Sequence, residues 1–213
     1  MPFRVRLALL IAASCAVAAA FAATMLRADS PGPATSPSAF AGAIRPPGIP
    51  PAEFRLRDQD GRVATLDDVR GKVAVVTFLY TTCEDTCPLI GQQIRGALDR
   101  LGHDVPVLAV AVDPPRDTPE RARRFLAKER LAGRMRFLLG PEGELQRQWR
   151  AYGIRPQEDG VEHSAHVVLL DRRGVQRIGF PADKVTPEGL AQDLRTLERE
   201  APPAPRDDGR SAS

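Results

Sequence analysis

Aromatic residues are scarce in this 213-residue chain, at 5%, cysteine occurs only three times, and neither charge sign dominates, 30 Lys+Arg standing against 27 Asp+Glu. Three cysteines are too few for a small disulfide-stapled scaffold. The net charge of +3 comes from basic residues scattered among acidic ones. That pattern lacks the basic stripe of a nucleic-acid binder, and nucleic acid is not an expected partner. No internal repeat is present, and no long apolar run follows the first 26 residues, which excludes a multi-pass membrane protein. What is present, 43% hydrophobic and 27% charged residues, is the composition of one ordinary globular domain.

The ends of the chain read differently from its middle. Leu7 to Leu26 carries no charge and follows Arg4 and Arg6; as a helix it would span about 30 Å, one bilayer core. The positive flank keeps the N-terminus cytoplasmic, so residues 1–26 are expected to anchor the chain in a bacterial inner membrane with the functional domain in the periplasm. The competing reading is a signal peptide with Ala20-Phe21-Ala22 as its cleavage site, leaving a soluble periplasmic domain. Both readings export the domain. Cys15 follows Ala12-Ala13-Ser14, a poor lipoprotein lead-in, and reads as an apolar filler. Residues 27–51 hold seven prolines and form a tether, residues 52–200 form the folded domain, and residues 201–213 read as a disordered tail.

Within the domain, Phe54 to Leu56 and Val63 to Thr65 flank a turn and suggest a hairpin. Lys72 to Tyr80 and Val105 to Val112 are nearly continuous β-branched and apolar runs, the pattern of strands buried on both faces. A helix is expected from Pro88 to about Leu101, others from Thr118 to about Arg130, Pro141 to Tyr152 and Pro187 to about Glu200. Short strands are expected at Met135 to Leu139, Val167 to Asp171 and Val175 to Phe180. This order predicts a mixed α/β sheet flanked by helices, with the thioredoxin-like fold leading.

Cys83 and Cys87 fall on the loop leading into the first helix, where unpaired N–H groups favour a thiolate. A structural disulfide over so short a loop would contribute only roughly 2 kcal/mol, against about 4.7 for a hundred-residue loop, so redox or metal chemistry is expected instead. Two thiolates are a soft pair suited to Cu(I), and one imidazole would complete a trigonal site. His103 lies in a helix-to-strand connection and reads as an exposed polar residue. His163 and His166 flank the start of a strand and point to opposite sides if both are extended, so at most one faces the cysteines. Arg116 and Asp117 read as a surface ion pair or a cap for the helix at Thr118, with a direct role at the site kept open beside these.

The run Phe78-Leu79-Tyr80-Thr81-Thr82-Cys83-Glu84-Asp85-Thr86-Cys87-Pro88, followed by Val112-Asp113-Pro114-Pro115-Arg116-Asp117-Thr118-Pro119 and by Val161-Glu162-His163-Ser164, resembles the Sco/SenC family of copper chaperones for cytochrome c oxidase assembly. The resemblance covers Ala52 to about Arg195. It implies a thioredoxin-like fold with a membrane anchor, Cys83, Cys87 and His163 as ligands of Cu(I) or Cu(II), and Asp113 beside the site. The implied partners are a copper-bearing subunit of cytochrome c oxidase and other periplasmic copper or thiol-redox proteins. Glu84 stands where many members have Pro, Glu162 where Asp is usual and Val168 where an aromatic is common, and none of these removes a ligand.

Two functions stay open. One is a metallochaperone that delivers copper through the three-ligand site. The other is a thiol-disulfide reductase in which Cys83 and Cys87 are the catalytic redox pair and keep an oxidase subunit's copper-ligand cysteines reduced. Three residues between the cysteines, against two in thioredoxin-type reductases, change the ring and its redox poise, and a pure reductase would not need His163.

Overall fold

The computed structural model describes residues 40–50, 52–154 and 166–201. The N-terminal apolar run with Cys15, most of the tether, the stretch carrying His163 and the tail from 202 onward lie outside the described residues. Among the described residues no helix is long and apolar enough to cross a membrane.

The elements follow as β1 (Ala43–Ile44), β2 (Arg55–Arg57), β3 (Val63–Thr65), β4 (Ala74–Leu79), α1 (Thr86–Leu101), β5 (Val107–Ala111), α2 (Pro119–Lys128), β6 (Arg136–Leu138), α3 (Glu142–Tyr152), β7 (His166–Leu170), β8 (Gln176–Pro181) and α4 (Pro187–Arg199). The two most apolar runs of the sequence, β4 and β5, are buried along their whole lengths and lie side by side at the centre of the sheet. They pair in parallel from Val75 opposite Val107 to Leu79 opposite Ala111. β6 adds in parallel beyond β5, while β7, β8 and β1 add antiparallel beyond β4, giving the order β1-β8-β7-β4-β5-β6. The last residues of β4 and β5, the first residue of β7 and the last of β8 therefore share one end of the sheet, with His166 opposite Pro181. In open α/β sheets sites gather beyond the carboxyl ends of parallel strands, and that is where the cysteines lie.

Apolar residues at helical spacing on α1, among them Ile90, Ile94, Leu98 and Leu101, are buried, and this helix packs against α4 with its buried Leu190, Leu194 and Leu197. α1 stops at Gly102, whose φ of 84° places the cap in the left-handed region. α2 starts where the Thr118 side chain accepts from the Arg121 N–H at 3.3 Å, with Pro119 as its first residue. α3 is fixed to the cysteine end of the sheet by its aromatics. Trp149 Nε1 donates to the Ala111 carbonyl at 2.9 Å, and the Tyr152 ring lies 5.2 Å from that of Phe78.

Two sequence expectations are corrected. α1 begins at Thr86, two residues before Pro88, so Cys87 belongs to its first turn and not to the loop. The stretch 27–51 is also not tether throughout, because Ala43–Ile44 is an edge strand on β8. Its fastening comes from Asp193 of α4, whose fully buried carboxylate accepts the Ala41 and Gly42 N–H groups at 2.7 and 2.9 Å. Proline content concealed this, since the residues that pair are Ala, Gly and Ile between proline clusters. A Cβ on Gly42 would lie 2.5 Å from Ile178 Cγ2 and 2.7 Å from the Phe180 ring. Gly42→Ala is therefore expected to cost about 1–3 kcal/mol and to loosen residues 40–45, read as faster proteolysis between residues 40 and 50. Cleavage at the wild-type rate would show that the strand is not held by this close approach.

Candidate functional site

Beyond Leu79 the chain turns through Tyr80, Thr81 and Thr82, and the Cys83 N–H donates to the Tyr80 carbonyl at 3.4 Å. The four-residue spacing then brings the first turn of α1 back over this loop, so that the Cys87 N–H donates to Cys83 Sγ at 3.2 Å. Both cysteines are free thiols, Cys83 half-buried and Cys87 completely buried.

The two sulfurs are driven apart in acidity. Cys83 is lowered to about 5, first because the Cys87 thiol donates to it; burial opposes this, and the Cys87 N–H, the Tyr80 hydroxyl and the Asp85 N–H reinforce it. Cys87 is pushed far up, because its proton is committed to Cys83 and burial disfavours a second charge, to which the nearby negative charge of Asp117 adds. Cys83 is thus a thiolate at neutral pH with a buried thiol behind it. Iodoacetamide at pH 7 is expected to label Cys83 and spare Cys87, with the labelling rate levelling off above an inflection near pH 5. Equal labelling, or an inflection in the ordinary thiol range near ~8.5, would contradict this arrangement.

The loop after β5 supports the cysteine loop from beneath. Asp117 Oδ1 accepts from the Thr81 N–H at 2.7 Å and the Thr81 hydroxyl at 2.8 Å, while Oδ2 accepts from the Asp113 N–H at 3.1 Å. Asp117 is buried, and burial pushes its carboxyl up against the pull of these donors. Of the readings of Arg116 and Asp117, the mutual ion pair and the cap by Asp117 are corrected. Arg116 pairs with Asp113 at 3.0 Å, Thr118 alone caps α2, and Asp117 ties the two loops together. Asp113 does lie beside the cysteine loop through this shared carboxylate.

The histidines separate as far as the described residues go. His103 is 55% exposed and pairs with Glu198 at 2.8 Å, away from the site. His166 opens β7, half-buried, and its carbonyl accepts from the Thr77 hydroxyl at 3.1 Å. His163 lies outside the described residues. Among the described residues no three His, Cys, Asp or Glu side chains stand close enough together to hold a metal ion. What is built is a sulfur pair of which Cys83 alone lines a cleft of ≈ 250 Å³, together with Thr82, Pro88, Phe125 and cations of α2, while Cys87 lies buried behind it.

A family model described as SCO1/SenC matches residues 46–199. The chain belongs to that family. Protein SenC of Rhodobacter capsulatus is 30% identical over 151 residues, which are 66% of this chain and 67% of that protein. The alignments with the first curated relatives span 64% to 68% of those proteins' own lengths. Among solved structures, Bradyrhizobium japonicum ScoI with copper bound is 30% identical, with a TM-score of 0.55 over 68% of this chain and 97% of that one. BsSco, described with a disulfide switch and as a member of the Sco family of cytochrome c oxidase assembly proteins, has the same fold at a TM-score of 0.63, 22% identity and coverage of 73% and 96%. The thioredoxin-like α/β fold expected from the sequence is the fold of these SCO1/SenC proteins.

Proposed function

We propose that this SCO1/SenC protein is a copper chaperone that carries the metal as cargo on Cys83, Cys87 and His163 and passes it to a copper-bearing subunit of cytochrome c oxidase. The observation that carries this reading is the sulfur pair itself, a thiolate at Cys83 within one helical turn of Cys87 at the mouth of a cleft. Soft sulfur donors select Cu(I), and copper binding would displace the Cys87 proton as the metal takes the place of the S–H···S hydrogen bond. Three ligands would leave one side of the ion open for exchange with an acceptor, reached past the partly exposed Cys83. The reduced full-length protein, titrated anaerobically with Cu(I) against a competing chelator, should bind one equivalent.

The reductase reading draws on one specific feature, the pairing of an accessible low-pKa sulfur with a buried protonated one. Such a pair divides the labour of attack and resolution in thiol-disulfide exchange. Absence of competitive copper binding, with the cysteines cycling readily against a dithiol, would favour the reductase. For location, we place the domain in the periplasm, held by Leu7 to Leu26 in the inner membrane. Retention of the protein in membranes after an alkaline wash would support the anchor, and release would support a cleaved signal.

A further inference from the structure

The cations of α2 fall into two groups. Arg123 is engaged with Asp60 at 3.6 Å, Glu120 at 3.3 Å and the Gln59 carbonyl at 2.6 Å. Elsewhere Arg134, Arg136 and Arg177 likewise bind two carboxylates each. Arg121, Arg124 and Lys128 differ. They recur at helical spacing on one face, all are exposed, and all three line the cleft that holds Cys83. Among the described residues none of them forms an ion pair: Arg121 donates only to the Arg116 carbonyl at 3.4 Å, and Arg124 acts on Glu120 at longer range. Helix stability does not explain Arg121, which stands in the first turn of α2, where the positive end of the helix dipole disfavours a cation. Pro88 lines the same cleft, and its neighbour Leu89, outside the lining, is 48% exposed, one of three exposed large apolar residues among the described residues.

We infer that this cleft is a docking groove for an acidic segment of the protein that exchanges copper or thiols with Cys83. The inference rests on the reading that Cys83 is the exchanging sulfur. The partner's Asp or Glu residues run along Arg121, Arg124 and Lys128, and an apolar residue meets Pro88 and Leu89. Glu84 and Asp85, exposed in the cysteine loop but outside the lining of the cleft, repel the same segment and so fix which side of Cys83 it takes. Three cations without an ion pair among the described residues, beside a reactive group, raise the encounter rate with an anionic partner, and salt screens the effect.

The test uses full-length protein in detergent and short single-cysteine peptides capped as mixed disulfides with thionitrobenzoate, whose positions flanking the cysteine are all Glu, all Gln or all Lys. The Cys83 thiolate attacks the peptide sulfur, the new S–S bond forms, and thionitrobenzoate leaves with the electron pair as a coloured thiolate; Cys87 then displaces the peptide thiol. At low ionic strength the Glu peptide should react roughly tenfold faster than the Gln peptide and the Lys peptide slower still. About 0.5 M salt should erase the preference, since the screening length falls to roughly 4 Å. Replacing all three cations by Gln should flatten it, and replacing all three by Glu should invert it. Lys72→Glu, at the opposite end of the sheet, should leave it unchanged. Equal rates for the Glu and Gln peptides on the wild type, or loss of the preference in Lys72→Glu, would overturn the docking groove. Copper titration of the wild type separates the two ideas: failure to bind copper with the preference intact removes the chaperone reading alone, and copper binding without the preference removes the groove alone.

Discussion

Cys83→Ser and Cys87→Ser should each abolish stoichiometric Cu(I) binding, with affinity falling more than about a hundredfold, because a serine hydroxyl is a hard donor that keeps its proton at neutral pH. The two losses have different origins. Removing Cys83 takes away the thiolate and leaves a buried thiol that burial keeps protonated. Removing Cys87 takes away the second sulfur, while the serine hydroxyl keeps a proton it can donate to Cys83, so one thiolate ligand remains without its partner sulfur. His163→Ala should weaken copper binding and His166→Ala should not, as read by competition with a chelator. Tight binding in Cys87→Ser would show that the buried sulfur is no ligand. A loss confined to His166→Ala would move the imidazole assignment.

Asp117→Ala should destabilise the domain by about 2–4 kcal/mol, since it leaves the Thr81 N–H, the Thr81 hydroxyl and the Asp113 N–H without their acceptor. The urea midpoint should fall on the order of 1–2 M for slopes typical of small domains. Asp117→Asn should fall between, because an amide keeps one acceptor oxygen but turns its NH2 toward the second donor site. Asp113→Ala makes the contrast: its carboxylate faces an Arg116 side chain that is 62% exposed, and such pairs contribute about 0–1 kcal/mol. Equal effects at Asp113 and Asp117 would contradict the account in which Asp117 joins the two loops.

The parts of this architecture that rest on periodicity were legible in the chain. β4 and β5 declare themselves through nearly continuous apolar runs, and α2 through its Thr118-Pro119 start, a capped helix beginning in the structure. The sulfur pair was legible because four-residue spacing at a helix start is a local feature. Asp117 was not, since a side chain that turns inward to Thr81, 36 positions away, looks in sequence like any acid beside a cap. The burial of Cys87 was concealed by the start of α1, which lies two residues earlier than Pro88 suggested. The edge strand at Ala43–Ile44 was masked by flanking prolines, and the cleft face of α2 reads in sequence as an ordinary solvated charge run. The place of His163 in the site rests on resemblance, because it lies outside the described residues.

The route by which the chain joins and leaves the sheet gives the domain two poles. β1 begins opposite Gly179, and Gly42 just ahead of it lies against Phe180, toward the end of the sheet that bears Cys83. α4 finishes at the other pole, where Arg172 of the β7–β8 turn donates to the Glu198 and Glu200 carbonyls at 2.8 Å. Among the described residues the sulfur therefore lies at one pole and the end of α4 at the other. A fluorescent label placed on Arg172 or Glu200 stands at the pole opposite Cys83 and leaves the sulfur uncovered.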